Sequence, residues 1–172
     1  MNKTVLLFGG SPYVNNVKID WLRLRQNRIT TIGINISQGR PYDYVAVYDE
    51  VTRQKMNQLN IHERSILITP RFNNHTKGIY YYAKNCNFTH DYVLKYILER
   101  QPQVDKVVLI GAADFVSGGH YYDKSIDFKV VKQSKQDSID FIENNVAKRL
   151  KLYKMNPNGI LNIPIFKGNI YD

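Results

Sequence analysis

Short apolar runs recur along this chain, separated by stretches with helical spacing. Val5-Leu6-Leu7-Phe8 and Val107-Val108-Leu109-Ile110 are apolar without alternation, and runs of that length read as buried strands. Strands are expected at about 3–8, 29–34, 43–48, 64–69 and 105–111, with a weaker one near 151–155. Helices are expected near 17–26, 50–59, 88–100 and 134–150. In the last of these, Ile139, Ile142, Val146 and Leu150 keep one face apolar, with Asp137 or Ser138 near its start. Repeated strand–helix alternation implies an α/β fold: a mainly parallel sheet between two helical layers. Strands buried on both faces should be apolar nearly throughout, as these are.

Two segments break the rhythm. One is about 70–85, with Arg71, Asn73, Asn74, His75 and Tyr80-Tyr81-Tyr82. The other is about 112–133 and carries Gly118-Gly119-His120-Tyr121-Tyr122. Long connections of this kind in a compact domain are functional or disordered. The second follows the strongest strand and is therefore expected at the carboxyl edge of the sheet.

Composition narrows the ligand rather than the fold. The 172 residues suffice for one domain, taken as 1–172. No run approaches the roughly 20 apolar residues of a membrane span. The first apolar run fits a strand better than a signal peptide, so a cytoplasmic location is expected. Cys86 is the sole cysteine, which excludes an intrachain disulfide and a cysteine-based zinc site. The four histidines (62, 75, 90 and 120) lack metal-ligand spacing, and no Ser–His–Asp arrangement is visible. Neither metal nor cofactor is expected. A net charge of +9 favours an anionic partner: a nucleotide, a nucleotide sugar, nucleic acid or an acidic glycan. The basic residues are dispersed, however, the densest groups being Arg23, Arg25 and Arg28, then Lys148, Arg149, Lys151 and Lys154. They form no aromatic-interleaved stripe, and there is no helix-turn-helix, so nucleic acid ranks below a nucleotide.

Polar residues punctuate the ends of the expected strands. Gly9-Gly10-Ser11-Pro12 closes the first. It reads as a phosphate cradle or as an ordinary strand-to-helix turn, and matches neither the Walker loop nor G-x-G-x-x-G. Asn35 closes the second strand and can read a base or ribose, or simply make a turn. Asp49 closes the third, as a sugar ligand or as a helix cap. Asp114 follows Gly111-Ala112-Ala113 beyond a central strand, where an acid can contact ribose or act as a base. His120 is a candidate base in the loop after Gly118-Gly119, and Tyr121 and Tyr122 can stabilise a departing phosphate.

Taken in order, these segments resemble the bacterial metal-independent sialyltransferases. The carrying residues are Gly9-Gly10-Ser11-Pro12, Asn35, Tyr48-Asp49 and Leu109-Ile110-Gly111-Ala112-Ala113-Asp114-Phe115, then Gln133-Ser134-Lys135 and Asn156-Pro157-Asn158. The resemblance implies a Rossmann-like α/β/α domain that binds a cytidine-nucleotide sugar. Gly9, Gly10 and Ser11 would lie at the phosphate, Asn35 at the nucleotide and Asp114 at the ribose or cytosine. Departures accompany the matches. Gln133 stands where the family has its general-base histidine, Val130 and Val116 where it has tyrosines, and Gly9 where it has asparagine. Gln133 cannot take a proton near neutral pH, and loss of a general base costs about 10²–10⁴-fold.

The expectation is therefore a glycosyltransferase-like protein that binds a nucleotide or nucleotide sugar. If it is catalytic, metal-independent glycosyl transfer is implied, with Asp49, Asp114 or His120 as the base and Tyr121 or Tyr122 at the phosphate. The alternatives are a non-catalytic protein that senses or sequesters such a ligand, and a basic protein associated with nucleic acid.

Overall fold

A computed structural model describes residues 1–35, 40–48, 62–70, 78–115 and 132–172. The chain runs β1 (Thr4–Phe8), a 3₁₀ turn (Pro12–Asn16), α1 (Trp21–Gln26), β2 (Thr30–Ile34), β3 (Tyr44–Ala46), β4 (Ile66–Thr69) and β5 (Gly78–Tyr80). It continues through α2 (Thr89–Arg100), β6 (Lys106–Ile110), α3 (Lys132–Phe141) and β7 (Lys151–Lys154). The seven strands form one sheet in the order β5-β4-β3-β2-β1-β6-β7. All six neighbouring pairs are parallel. The fold is thus α/β and Rossmann-like.

The apolar strands divide their side chains between two cores. In β1, Val5 and Leu7 join one core while Leu6 and Phe8 join the other. In β6, Val107 and Leu109 separate from Val108 and Ile110 in the same way. This period-2 division explains why the runs show no polar alternation: both faces are covered. On one face Tyr92, Val93, Leu94 and Ile97 of α2 pack with Ile142 and Val146. On the other, Val14, Leu24 of α1, Tyr42 and the C-terminal Ile170 close the core.

The expected strands are all present, mostly shortened by a residue or two, and one was missed. β5 has only three residues, Gly-Ile-Tyr, exposed or half-buried at the sheet edge. It lies inside the segment read as a loop, because three edge residues leave no hydrophobic period to detect. The expected helix at 17–26 is shorter. Pro12 opens the preceding 3₁₀ turn, and Asp20 starts α1 only at Trp21 by accepting from the Arg23 amide at 3.0 Å. The last helix begins at Lys132, so Asp137 and Ser138 lie within it rather than at its start. It then widens into a π turn over Ile142–Val146, where the Ala147 amide donates to the Ile142 carbonyl at 2.9 Å. The helix expected at 50–59 lies outside the described residues. No helix among the described residues is long and apolar enough to cross a membrane.

Sheet order decides where a site can form. From β1 the chain builds outward through β2, β3 and β4 to β5, then crosses back through α2 to place β6 on the other side of β1. The direction of winding reverses between β1 and β6. In open α/β sheets ligands bind in the crevice beyond the carboxyl ends of the strands at such a switch point.

Candidate functional site

The turns that leave β1 and β6 interlock at this switch point. The Gly9 amide donates to the Ile110 carbonyl at 3.0 Å, and the Ser11 amide donates to the Gly111 carbonyl at 3.2 Å. A Cβ on Gly9 would lie 2.5 Å from the Ala112 Cα, and one on Gly111 would lie 2.5 Å from Cγ2 of Val14. At Gly9 main chain meets main chain, whereas Gly111 is required by its left-handed φ of 65° and by the Val14 side chain. The Gly9 and Ser11 amides are satisfied within the pair of turns. The Gly10 amide has no hydrogen-bond partner among the described residues.

The turn after β6 has an unusual backbone. Gly111, Ala113 and Phe115 hold φ of 65°, 56° and 51°, with Ala112 and Asp114 between them on the ordinary side. Non-glycine residues in that region cost roughly 1–2 kcal/mol each. Alternation of backbone hand turns successive amides toward a common side and makes an anion-binding concavity. The amides of Ala112 and Ala113 have no hydrogen-bond partner among the described residues.

Asp114 sits in this turn, 4% exposed. Its Oδ2 accepts from the Asn156 side-chain amide at 2.8 Å. Burial raises its pKa, while hydrogen bonds from Asn156 and Ser11 and the charge of Lys154 oppose the rise. Lys154, at the end of β7, is itself buried and donates to the Gly159 and Leu161 carbonyls at 2.6 Å each. Gly159 leaves space for the acid, since a Cβ there would lie 3.0 Å from Asp114 Oδ1. Ser11, Asp114 and Asn156 thus join three strand ends. In the sequence Asn156 stands out only through the family resemblance, and nothing there marks Lys154 as buried. The available signal was the turn Asn156-Pro157-Asn158-Gly159 directly after the last strand.

Asn35 lies at the end of β2 with φ of 63°, a conformation asparagine tolerates. Its amide donates to the Ala46 carbonyl at 2.8 Å, and its Oδ1 accepts from the Thr89 hydroxyl at 2.9 Å. It therefore ties β2 to the first turn of α2. Tyr48, just past β3, stacks on Tyr92 with ring centroids 5.0 Å apart.

A second polar cluster joins α2 to α3. The Ser138 hydroxyl donates to Asp91 Oδ1 at 2.6 Å and lies 3.0 Å from His90 Nε2. With its proton directed at Asp91, Ser138 can only accept from His90, which places the histidine proton on Nε2. The His90 ring stacks on Phe88 at 5.1 Å and meets the edge of Phe115 at 5.3 Å. Burial depresses its pKa, opposed by Asp91, so the ring is held neutral. The sequence shows no Ser–His–Asp arrangement, and although these three residue types meet here, they lack triad geometry. The serine is bound to the aspartate rather than activated by the histidine, and all three residues are buried. The sequence could not reveal it, because 48 positions separate His90 from Ser138.

The remaining candidates divide by visibility. Asp49, His120, Tyr121 and Tyr122 lie outside the described residues. Gln133 is exposed on α3, and its amide donates to Asp137 Oδ1 at 2.7 Å, one helical turn away. No group of three or more His, Cys, Asp or Glu able to hold a metal ion occurs among the described residues.

No family model and no curated protein matches the chain. A crystal structure of a protein from Lactobacillus plantarum is similar at 18% identity and a TM-score of 0.39. The match covers 87% of this chain and 59% of that one, so the chain spans less than two thirds of that protein's length. At that level the likeness adds nothing to the architecture read directly from the strand order.

Proposed function

We propose that the crevice beyond β1, β2 and β6 binds a nucleotide or nucleotide sugar. The observation that carries this reading is Asp114, a carboxylate buried at the topological switch point, its pKa raised by that burial. An acid kept at an electrostatic cost in such a crevice is a recurring mark of a functional position. The amides of Gly10, Ala112 and Ala113 beside it, without a partner among the described residues, suit a phosphate, and Asp114 suits a ribose or base contact. The family resemblance favours a cytidine nucleotide.

The reading favours binding over transfer. Gln133 bonds within its own helix, and His90 is buried, neutral and held by Ser138. Neither is available as a general base, so glycosyl transfer would rest on Asp49, Asp114 or His120. Incubation with a panel of nucleotide sugars tests both parts. A ligand-dependent rise in Tm that is absent in Asp114→Ala supports the crevice. Release of free nucleotide adds transfer. Unchanged Tm across the panel, or an equal rise in Asp114→Ala, refutes the placement.

A further inference from the structure

A groove of about 460 Å³ lies at the opposite edge of the sheet from Asp114. It is walled by residues that precede or open strands: Asn2 before β1, Thr30 at the start of β2, Tyr44 at the start of β3 and Ile66 at the start of β4. Three arginines line it, and each comes from a different position. Arg25 belongs to the last turn of α1, Arg28 to the turn into β2, and Arg64 to the approach to β4. All three are exposed. The Arg25 guanidinium donates to the Pro41 carbonyl at 3.3 Å. The Arg28 and Arg64 side chains have no hydrogen bond or ion pair among the described residues.

The one carboxylate in the lining is occupied. Asp43 Oδ2 accepts from the Thr31 amide at 2.8 Å and from the Thr31 hydroxyl at 2.9 Å. Three arginines against this single carboxylate leave the lining net positive.

Arg28 supplies an independent observation. The Ile29 amide donates to the Leu24 carbonyl at 2.9 Å and the Arg28 amide to the Arg25 carbonyl at 3.0 Å, a paired closure that ends α1. The residue in the left-handed position of this motif is usually glycine. Here it is Arg28 at φ 53°. A left-handed arginine costs roughly 1–2 kcal/mol of backbone strain, and its charge is delivered to the groove.

We propose that this groove is an anion site for an oligophosphate, a ligand with two or more adjacent phosphate groups. Guanidinium forks match phosphate oxygens in pairs, and three of them around one concavity suit a compact polyanion better than an extended one. The site is separate from the nucleotide crevice and does not depend on it.

Calorimetric titration of the full chain with tripolyphosphate tests the proposal. Arg28→Gly relieves the backbone strain, so its Tm is expected to equal or exceed that of the parent. Its affinity for tripolyphosphate is expected to fall roughly tenfold or more, as is that of Arg64→Ala. Lys148→Ala removes the same charge from exposed surface beyond α3 and should change affinity less than about twofold. A parallel titration with a nucleoside triphosphate separates the sources. Affinity equal to that for tripolyphosphate assigns a free chain, and tighter binding that Arg28→Gly abolishes assigns a nucleotide. Absence of tripolyphosphate binding, or equal weakening by Lys148→Ala and Arg28→Gly, overturns the proposal.

Discussion

Asn156 donates its side-chain amide to Asp114 Oδ2 at 2.8 Å, across 42 positions of sequence. The contact joins the turn after β6 to the turn after β7 and fixes the orientation of a buried acid. Asn156 is held in turn: its Oδ1 accepts from the Asn158 amide at 3.0 Å. The acid is therefore positioned by a side chain that is itself positioned, as a preorganised contact requires.

Replacement of Asp114 by asparagine should stabilise the fold at neutral pH and abolish ligand binding. Burial raises the folded-state pKa of Asp114 above its unfolded value. Above the folded pKa both states are ionised, and the folded state carries the cost of the buried charge. As pH falls through the folded pKa toward the unfolded value near 3.9, that cost is relieved. Asp114→Asn removes the cost while keeping an acceptor for Asn156, so Tm should rise at pH 7 by about 2–4 °C for each kcal/mol gained. Thermal melts of parent and variant at pH 4 and pH 7 check this. A lower Tm for the variant at pH 7 would show that the carboxylate is a net stabiliser.

Acidification should weaken the fold through His90. Its folded-state pKa is depressed by burial, so the unfolded chain takes up a proton that the folded chain refuses. Stability from this residue is complete above the unfolded value near 6.5 and is lost as pH falls below it. Denaturant titrations between pH 7.5 and 5.5, in steps of about half a unit, should show this slope. The slope should flatten in His90→Gln. An unchanged slope in the variant would assign it to other groups.

Removal of the Ser138 hydroxyl should be costly for a serine on a helix. Ser138→Ala removes the closest donor of Asp91 Oδ1 and the closest acceptor of His90 Nε2, leaving those two atoms facing each other at 3.5 Å. Unsatisfied buried polar atoms cost about 1–3 kcal/mol, and charged ones more. Equilibrium unfolding in urea measures the loss, and a change below about 0.5 kcal/mol would be that of an ordinary surface substitution.

Gly9→Ala should destabilise the protein whether or not a ligand binds. The added methyl would meet the Gly111 carbonyl and the Ala112 Cα, both main-chain atoms that cannot rotate away. Overpacking of this kind costs about 1–3 kcal/mol or more. Gly10→Ala, at the next position of the same turn, provides the comparison. Equal melting temperatures for the two variants would count against the close approach of the two turns.

Strand existence was legible because each strand is buried on both faces, so that apolar content alone marks it. Helix presence followed from spacing, but helix limits did not, since Asp20 and Pro12 set the start of α1 through local hydrogen bonds and fixed φ. The three-residue β5 carries no period and was invisible. Of the candidate site, the residues at strand ends could be named in order. Their partners in Asn156, Lys154 and Gly159 belong to a segment that meets them only after the chain has crossed the sheet.

By itself the sequence determined a parallel α/β sheet and a row of polar residues at its strand ends, because burial on two faces and glycine turns are local demands. Only the tertiary structure decided that β1 and β6 are neighbours, that Gly9 is a packing glycine, that Asp114 is buried against Asn156, and that Arg25, Arg28 and Arg64 share a groove. Strand order is set by which apolar faces the helices cover when the whole chain packs. No local stretch of sequence encodes that choice.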